Sequence, residues 1–256
     1  MGFLYAGGQF QTLIGPKGEP TSPTGINIFG QVLGGLFFPT TSGDGYHVFF
    51  RQPTGRTTDL GTFGGTETPV LSNPALVVGA FAIAINDLSQ IVGVFVASDG
   101  VYRSFLTQPG GVRSKDIGSL GGFAWATAVN DFAQVVGYSA LSATVFPPPL
   151  LQAFLYSGGK MRDLGTLPGG TSSTASGINI FGQIVGGADT GNGGNFGHGF
   201  VYSNGQMRDL NNLLRPADAK SWLVWDAVGI NDRGQIIGNA VNSLGEIHAV
   251  ILTPVD

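Results

Sequence analysis

The chain repeats itself. The stretches "GINIFGQVLGG" (25–35), "AINDLSQIVG" (84–93), "AVNDFAQVVG" (128–137), "GINIFGQIVGG" (177–187) and "GINDRGQIIG" (229–238) are five copies of one pattern. Their anchors are Asn27, Asn86, Asn130, Asn179 and Asn231, separated by 59, 44, 49 and 52 residues. A period in this range restricts the fold to a repeat architecture, in which each copy buries its apolar face against the next.

Each copy parses into four strands. An alternating run such as Thr174–Ile178 precedes the Asn, and a short apolar run such as Gln183–Gly186 follows it. Between them Asn179 suits the start of a reverse turn and Gly182 tolerates the positive φ that closes it. A third, aromatic element follows: "HVFF" 47–50, "RSFLT" 103–107, "QAFLY" 152–156, "HGFVY" 198–202 and "HAVIL" 248–252. A Gly-bearing turn, with the hairpin-favouring Asn204-Gly205 in one copy, leads to a fourth: "RTTDLG" 56–61, "RSKDIG" 113–118, "MRDLG" 161–165 and "MRDL" 207–210. Helical periodicity is absent. Four-stranded antiparallel units of 44–59 residues repeated radially predict an all-β fold, a five-bladed β-propeller occupying residues 1–256 as a single domain. The last copy lacks its fourth strand, and "GFLYAGGQFQTL" (2–13) brings a third-type and a fourth-type element before the first Asn. Gln9–Leu13 is therefore expected to complete the last blade and close the ring, which removes two open edges. Phe3-Leu4-Tyr5 is left over, without a place in that scheme.

Composition narrows the function. Glycine supplies 43 of 256 residues and charged residues only 11%, where about 25% is usual. A hydrophobic share of 42% excludes disorder. With a net charge of −4 and four lysines there is no basic surface for phosphates, so nucleic acid is not an expected partner. The absence of cysteine removes disulfides and thiolate metal sites. The apolar run Ala75–Ile85 is interrupted by Gly79 and too short to span a bilayer. No cofactor is expected, with a structural cation such as calcium left open, and the chain is expected to be a monomer.

The elements "QAFLYSGGKMRDLGTLPGGTSSTASGINIFGQIVGG" (152–187) resemble the HAF repeat family of extracellular bacterial proteins, named for a His-Ala-Phe at the third strand. The resemblance covers nearly the whole chain, and "DLNNLL…GINDRGQIIG…HAVILTP" resembles the way such proteins finish. It implies a repeat fold and an extracellular or cell-surface location, with the export signal outside this sequence. It implies no reaction.

Residues that recur from copy to copy, the five Asn anchors and the four fourth-strand residues Asp59, Asp116, Asp163 and Asp209, read as turn or capping residues. Function is expected where the repeat breaks. In a four-stranded meander the long connections Thr62–Ala80, Tyr138–Leu151 (with Pro147-Pro148-Pro149), Gly187–Gly197 and Asn211–Trp225 all fall on one face. That face carries Trp125, Trp222 and Trp225, whose indoles either pack between blades or stack on a ligand. Near it stand the residues opening the third strands, His47, Arg103, Gln152, His198 and His248, with Asp44, Asp99, Asp189 and Glu246 preceding several of them. Trp222 and Trp225, in "RPADAKSWLVWD" (215–226) behind the stiffening Pro216, are expected to dominate any contact. Three residues apart on a strand of period two, they cannot both face inward. Asp226 is the one carboxylate on a first strand. The leading expectation is a non-catalytic binding module for a glycan or another surface protein. The alternatives are a hydrolase or lyase with its site over the central channel, and a structural or self-associating surface protein.

Overall fold

The computed structural model describes residues 1–40, 43–65, 78–111, 113–143, 150–191 and 197–255. It is all-β. The first strands of the five repeats are β3 (Thr21–Ile26), β7 (Val78–Ile85), β11 (Ala124–Val129), β15 (Ser173–Ile178) and β19 (Trp222–Ile230). The second are β4 (Val32–Thr40), β8 (Ile91–Val96), β12 (Val135–Ala140), β16 (Ile184–Ala188) and β20 (Ile236–Asn242). The third are β5 (Gly43–Arg51), β9 (Tyr102–Thr107), β13 (Leu151–Ser157), β17 (His198–Ser203) and β21 (Ile247–Leu252). The fourth are β6 (Thr57–Gly61), β10 (Ser114–Asp116), β14 (Lys160–Asp163) and β18 (Gln206–Asp209). A hairpin of β1 (Gly2–Ala6) and β2 (Gln9–Leu13) precedes them. The chain divides into two compact units, Met1–Gly118 with Ala124–Ala126, and Ser119–Phe123 with Thr127–Asp256.

In the second unit β15–β18 form the expected four-stranded meander, and so do β11–β14, whose first strand carries the division. The first unit departs from the pattern. Its two meanders fuse into one eight-stranded sheet because β5 pairs parallel with β7 at Gly45–Val78 and Tyr46–Gly79. The approach is open only to glycine: a Cβ on Gly79 (φ +109°) would lie 1.9 Å from the Tyr46 carbonyl oxygen.

Ring closure by Gln9–Leu13 is not what the ladders show. Gly7 and Gly8 both adopt positive φ, the signature of a two-residue hairpin turn, and fold β2 back along β1 from Ala6–Gln9 to Gly2–Leu13. Leu13 is then buried in the first unit's core with Val32, Leu36, Phe49 and Leu4. Phe3-Leu4-Tyr5 thereby finds its place as the partner of β2. The last sheet, β19–β20–β21, has three strands.

One packing rule recurs. Phe49, Phe105, Phe154 and Phe200 are fully buried, and each faces a glycine of the second strand: Gly34, Gly93, Gly137 and Gly186. Burial of each ring contributes about 2 kcal/mol. On its other side each Phe faces the fourth-strand Asp, namely Asp59, Asp116, Asp163 or Asp209. Each Asp accepts a bond from the backbone N–H two residues on, at 2.7–2.8 Å, as expected of a turn residue.

The Asn anchors do more than cap. Asn179 Nδ2 donates to Gln183 Oε1 (2.7 Å), while Oδ1 accepts from the N–H groups of Phe181 and Gln183. The turn closes with a positive φ at its fourth residue, which is Gly30, Gly182 or Gly234 but also Ser89 and Ala133. The second Nδ2 proton reaches the next repeat: Asn179 to the Asn231 carbonyl (3.1 Å), Asn130 to that of Asn179 (3.0 Å) and Asn27 to that of Asn86 (3.2 Å). Asp232 and Asp87 answer in the other direction, accepting from the N–H groups of Ile180 and Ile28. First strands of consecutive repeats are also tied by Thr24 Oγ1 to the Ala82 carbonyl and Thr127 Oγ1 to that of Ala175.

Candidate functional site

A β-bulge three residues before the Asn recurs in the first strands, between Pro23 and Gly25, Ala82 and Ala84, Ala175 and Gly177, and Ala227 and Gly229. Strand β19 has a second one, between Val224 and Asp226. Val224 fills the buried slot that Ser173 holds in β15, as their facing partners Ala240 and Ala188 show. Trp225 is thus the extra residue. Its side chain escapes the in–out alternation of the strand, as bulges beside functional sites commonly arrange.

Trp225 and Asp226 line a cleft of about 320 Å³ with Ser172, Ser173, Thr174 and Asp189. Asp226 sits against the second strand of the preceding repeat; a Cβ on Gly187 would lie 3.1 Å from its Oδ1, so glycine there makes the room. The two carboxyls of the cleft are driven apart. Burial pushes Asp226 above the ordinary aspartate value, and a bond from the Ala227 N–H offsets this only in part. At Asp189 burial also raises the value, but donors outweigh it and the net shift is downward. The Thr171 and Ser172 N–H groups bond it at 2.7 and 2.9 Å, the Thr171 hydroxyl at 3.0 Å, and Gly191 adds a further N–H. One carboxyl is thus harder to ionise than an ordinary aspartate and the other easier, the direction of difference seen between an acid and an electrostatic partner. Buried Gln152 stands behind the cleft wall: its Nε2 donates to the Thr171 carbonyl, and the Ser173 hydroxyl donates to its Oε1.

The remaining predicted residues are not gathered there. His47 (Nδ1 to Asp59, 2.8 Å), Arg103 (with Asp99, and 3.9 Å from Asp116) and Trp125 (ring to ring with Tyr102) belong to the first unit. His198 Nδ1 bonds Asp209 at 2.6 Å. His248 lies edge-to-face with Trp222 at 5.2 Å, with Glu246 at 3.8 Å. The described acids of the His47 and His198 pairs, Asp59 and Asp209, come from the fourth strand. All three tryptophans are half-buried. The Asp44 side chain, Pro147-Pro148-Pro149 and parts of the connections Thr62–Ala80, Tyr138–Leu151 and Gly187–Gly197 lie outside the described residues. A larger cleft of about 700 Å³ runs from Leu213, Leu214 and Arg215 of the Asn211–Trp225 connection to Gln183 and Gly234 of the Asn turns. Among the described residues no three His, Cys, Asp or Glu side chains are placed to hold a metal, and no helix is long and apolar enough to cross a membrane.

No protein-family model and no curated protein matches the chain. Solved structures do. The β-propeller domain of the Trilobed protease from Pyrococcus furiosus matches at a TM-score of 0.46 and 11% identity, over 91% of this chain and 82% of that one. A gluconolactonase from Xanthomonas campestris matches at 0.44 and 11%, over 92% and 77%. The Pyrococcus horikoshii acylaminoacyl peptidase matches at 0.41 and 10%, over 91% of this chain but 44% of the peptidase. At this distance none of them assigns an activity. The expectation of a non-catalytic binding module is nevertheless set aside, on the site itself: the cleft of the second unit gathers two carboxyls of opposite pKa shift rather than a purely apolar platform.

Proposed function

We propose that the chain is a hydrolase or lyase of the cell exterior, built from HAF-type repeats as the five blades of a β-propeller, with Asp226 as its general acid. The blade reading is supported by the shared strand registers and by the Asn and Thr bonds that tie first strands of consecutive repeats. The catalytic reading is carried by one observation: a half-buried carboxyl of raised pKa, set beside a bulged Trp and an ionised Asp in a hydroxyl-lined cleft. Such a cleft suits a saccharide, whose C–H face stacks on an indole and whose hydroxyls meet Ser and Thr. In hydrolysis Asp226 gives its proton to the leaving oxygen as the bond to carbon breaks, Asp189 opposes the positive charge that develops, and water adds to the carbon while its proton restores Asp226.

The test is a panel of aryl glycosides and neutral polysaccharides assayed with wild type, Asp226→Asn and Trp225→Ala. Turnover that falls about 100-fold or more in Asp226→Asn supports the assignment. So does a rate that declines as pH rises through the raised pKa of Asp226. Turnover unchanged in Asp226→Asn, or none on any substrate, removes it.

A further inference from the structure

Four third strands have a fourth strand beside them, and the register is the same each time: Asp59 faces Phe49, Asp116 faces Phe105, Asp163 faces Phe154 and Asp209 faces Phe200. In three of these the residue two before the Phe extends a cationic or imidazole group to that carboxylate. His47 reaches Asp59, His198 reaches Asp209, and Arg103 stands 3.9 Å from Asp116. Strand β21 repeats the design without the partner. Val250 faces Gly238 as Phe200 faces Gly186, and His248 precedes it by two. Among the described residues no strand lies on its outer edge. His248 Nδ1 meets no carboxylate there: the ring has Glu246 at 3.8 Å from its other nitrogen, and Glu246 is itself held by Asn242 at 2.7 Å. Trp222 steadies the imidazole edge-on. Beside Leu252, the counterpart of Tyr202, opens the cleft of about 700 Å³ lined also by Ile230 and Ile236. Met207, which faces Tyr202, packs into a core at the corresponding place in the preceding repeat.

We propose that β21 is a strand-addition site for an extended segment of a separate polypeptide with the pattern apolar–any–carboxylate. The segment runs antiparallel to β21, setting its apolar residue opposite Leu252 in the cleft and its carboxylate opposite Val250, where His248 Nδ1 donates to it. Main-chain bonds along the open edge give the affinity, and the two side chains give the register. This site is separate from the Asp226 cleft and independent of any catalysis.

The experiment is fluorescence anisotropy of the full chain with a labelled peptide of residues 158–165, "GGKMRDLG", a fourth strand of this same repeat. Saturable binding is expected, weakened about tenfold when the peptide Asp becomes Asn, and about tenfold by His248→Gln, since the charge-assisted bond is lost either way. The two changes together should cost no more than one. Hydrogen exchange should show the amides of 247–252 protected by the wild-type peptide, with a thermal midpoint of His248→Gln near that of wild type. Equal binding of the Asp and Asn peptides, protection elsewhere, or no binding overturns the proposal. So does a dimer in sedimentation that pairs β21 with β21, because the occupant would then be a second copy. The peptide substitution leaves the protein intact, so a variant that fails to fold does not block the test.

Discussion

Asn179→Ala separates a residue that caps its own turn from one that joins two repeats. Asn179 is 3% exposed and makes four side-chain bonds, three within its turn and one to the Asn231 carbonyl. A net hydrogen bond contributes about 1 kcal/mol, and a buried group left without a partner costs about 1–3 kcal/mol. The Phe181 N–H lies at an exposed turn and regains water, whereas the Asn231 carbonyl and the Gln183 groups recover little. The expected cost is therefore about 3 kcal/mol. Asn231→Ala is the control. Asn231 is exposed and its side-chain bonds, to Gln235 Oε1 and from the N–H groups of Arg233 and Gln235, stay within its turn, so about 1 kcal/mol is expected there. Urea unfolding followed by tryptophan fluorescence gives both values. Equal costs for the two variants would mean that the bond to the next repeat contributes nothing, and the inter-repeat role would be refuted.

Ala133→Gly should stabilise by about 0.5–1 kcal/mol, because Ala133 holds φ +57° where glycine is unstrained; thermal unfolding checks the sign. Gly186→Ala should cost about 3 kcal/mol, since the new Cβ would sit 2.0 Å from the Thr174 carbonyl and 3.0 Å from the Phe200 ring, and a variant of wild-type midpoint would contradict the packing rule. The raised pKa of Asp226 means that its contribution to stability is complete below its unfolded value and declines as pH rises through the folded one. Asp226→Asn should therefore be more stable than wild type at pH 7, with the gap closing below about pH 4. Asp189, lowered on folding, has the opposite sign: its contribution is present above the unfolded value and lost as pH falls through the folded one, so Asp189→Asn should weaken the protein at neutral pH but not in strong acid.

The strands and the Asn turn were legible because both are local. Alternation marks a strand within six residues, and the residues of the Asn-x-x-Gly-Gln turn bond mainly to one another. The Asn179–Asn231 bond was not legible, since nothing in either copy says that a donor will find its acceptor 52 residues away. The Trp225 bulge left only a trace, a tryptophan pair out of phase with a period of two, and its partner Asp189 looked like a companion of His198 rather than the anchor of residues 171–172. The β5–β7 pairing turns on Gly79, a glycine like 42 others until a carbonyl is found where its side chain would be. Composition places such residues on the page without saying what they meet.

The Asn joint bears on how a chain of this kind can lengthen. In the three joints described, a donor in one copy meets a main-chain carbonyl in the next, and a carbonyl is indifferent to side-chain identity. A duplicated copy slipped between two others would find its acceptor waiting and offer one of its own, so the Asn bond of each neighbour is kept. Divergence is equally cheap: the residues after the Asn have drifted from Ile-Phe to Asp-Leu, Asp-Phe and Asp-Arg while the joint persists. Unequal crossing-over that exchanges whole copies within such a gene would thus preserve the joint.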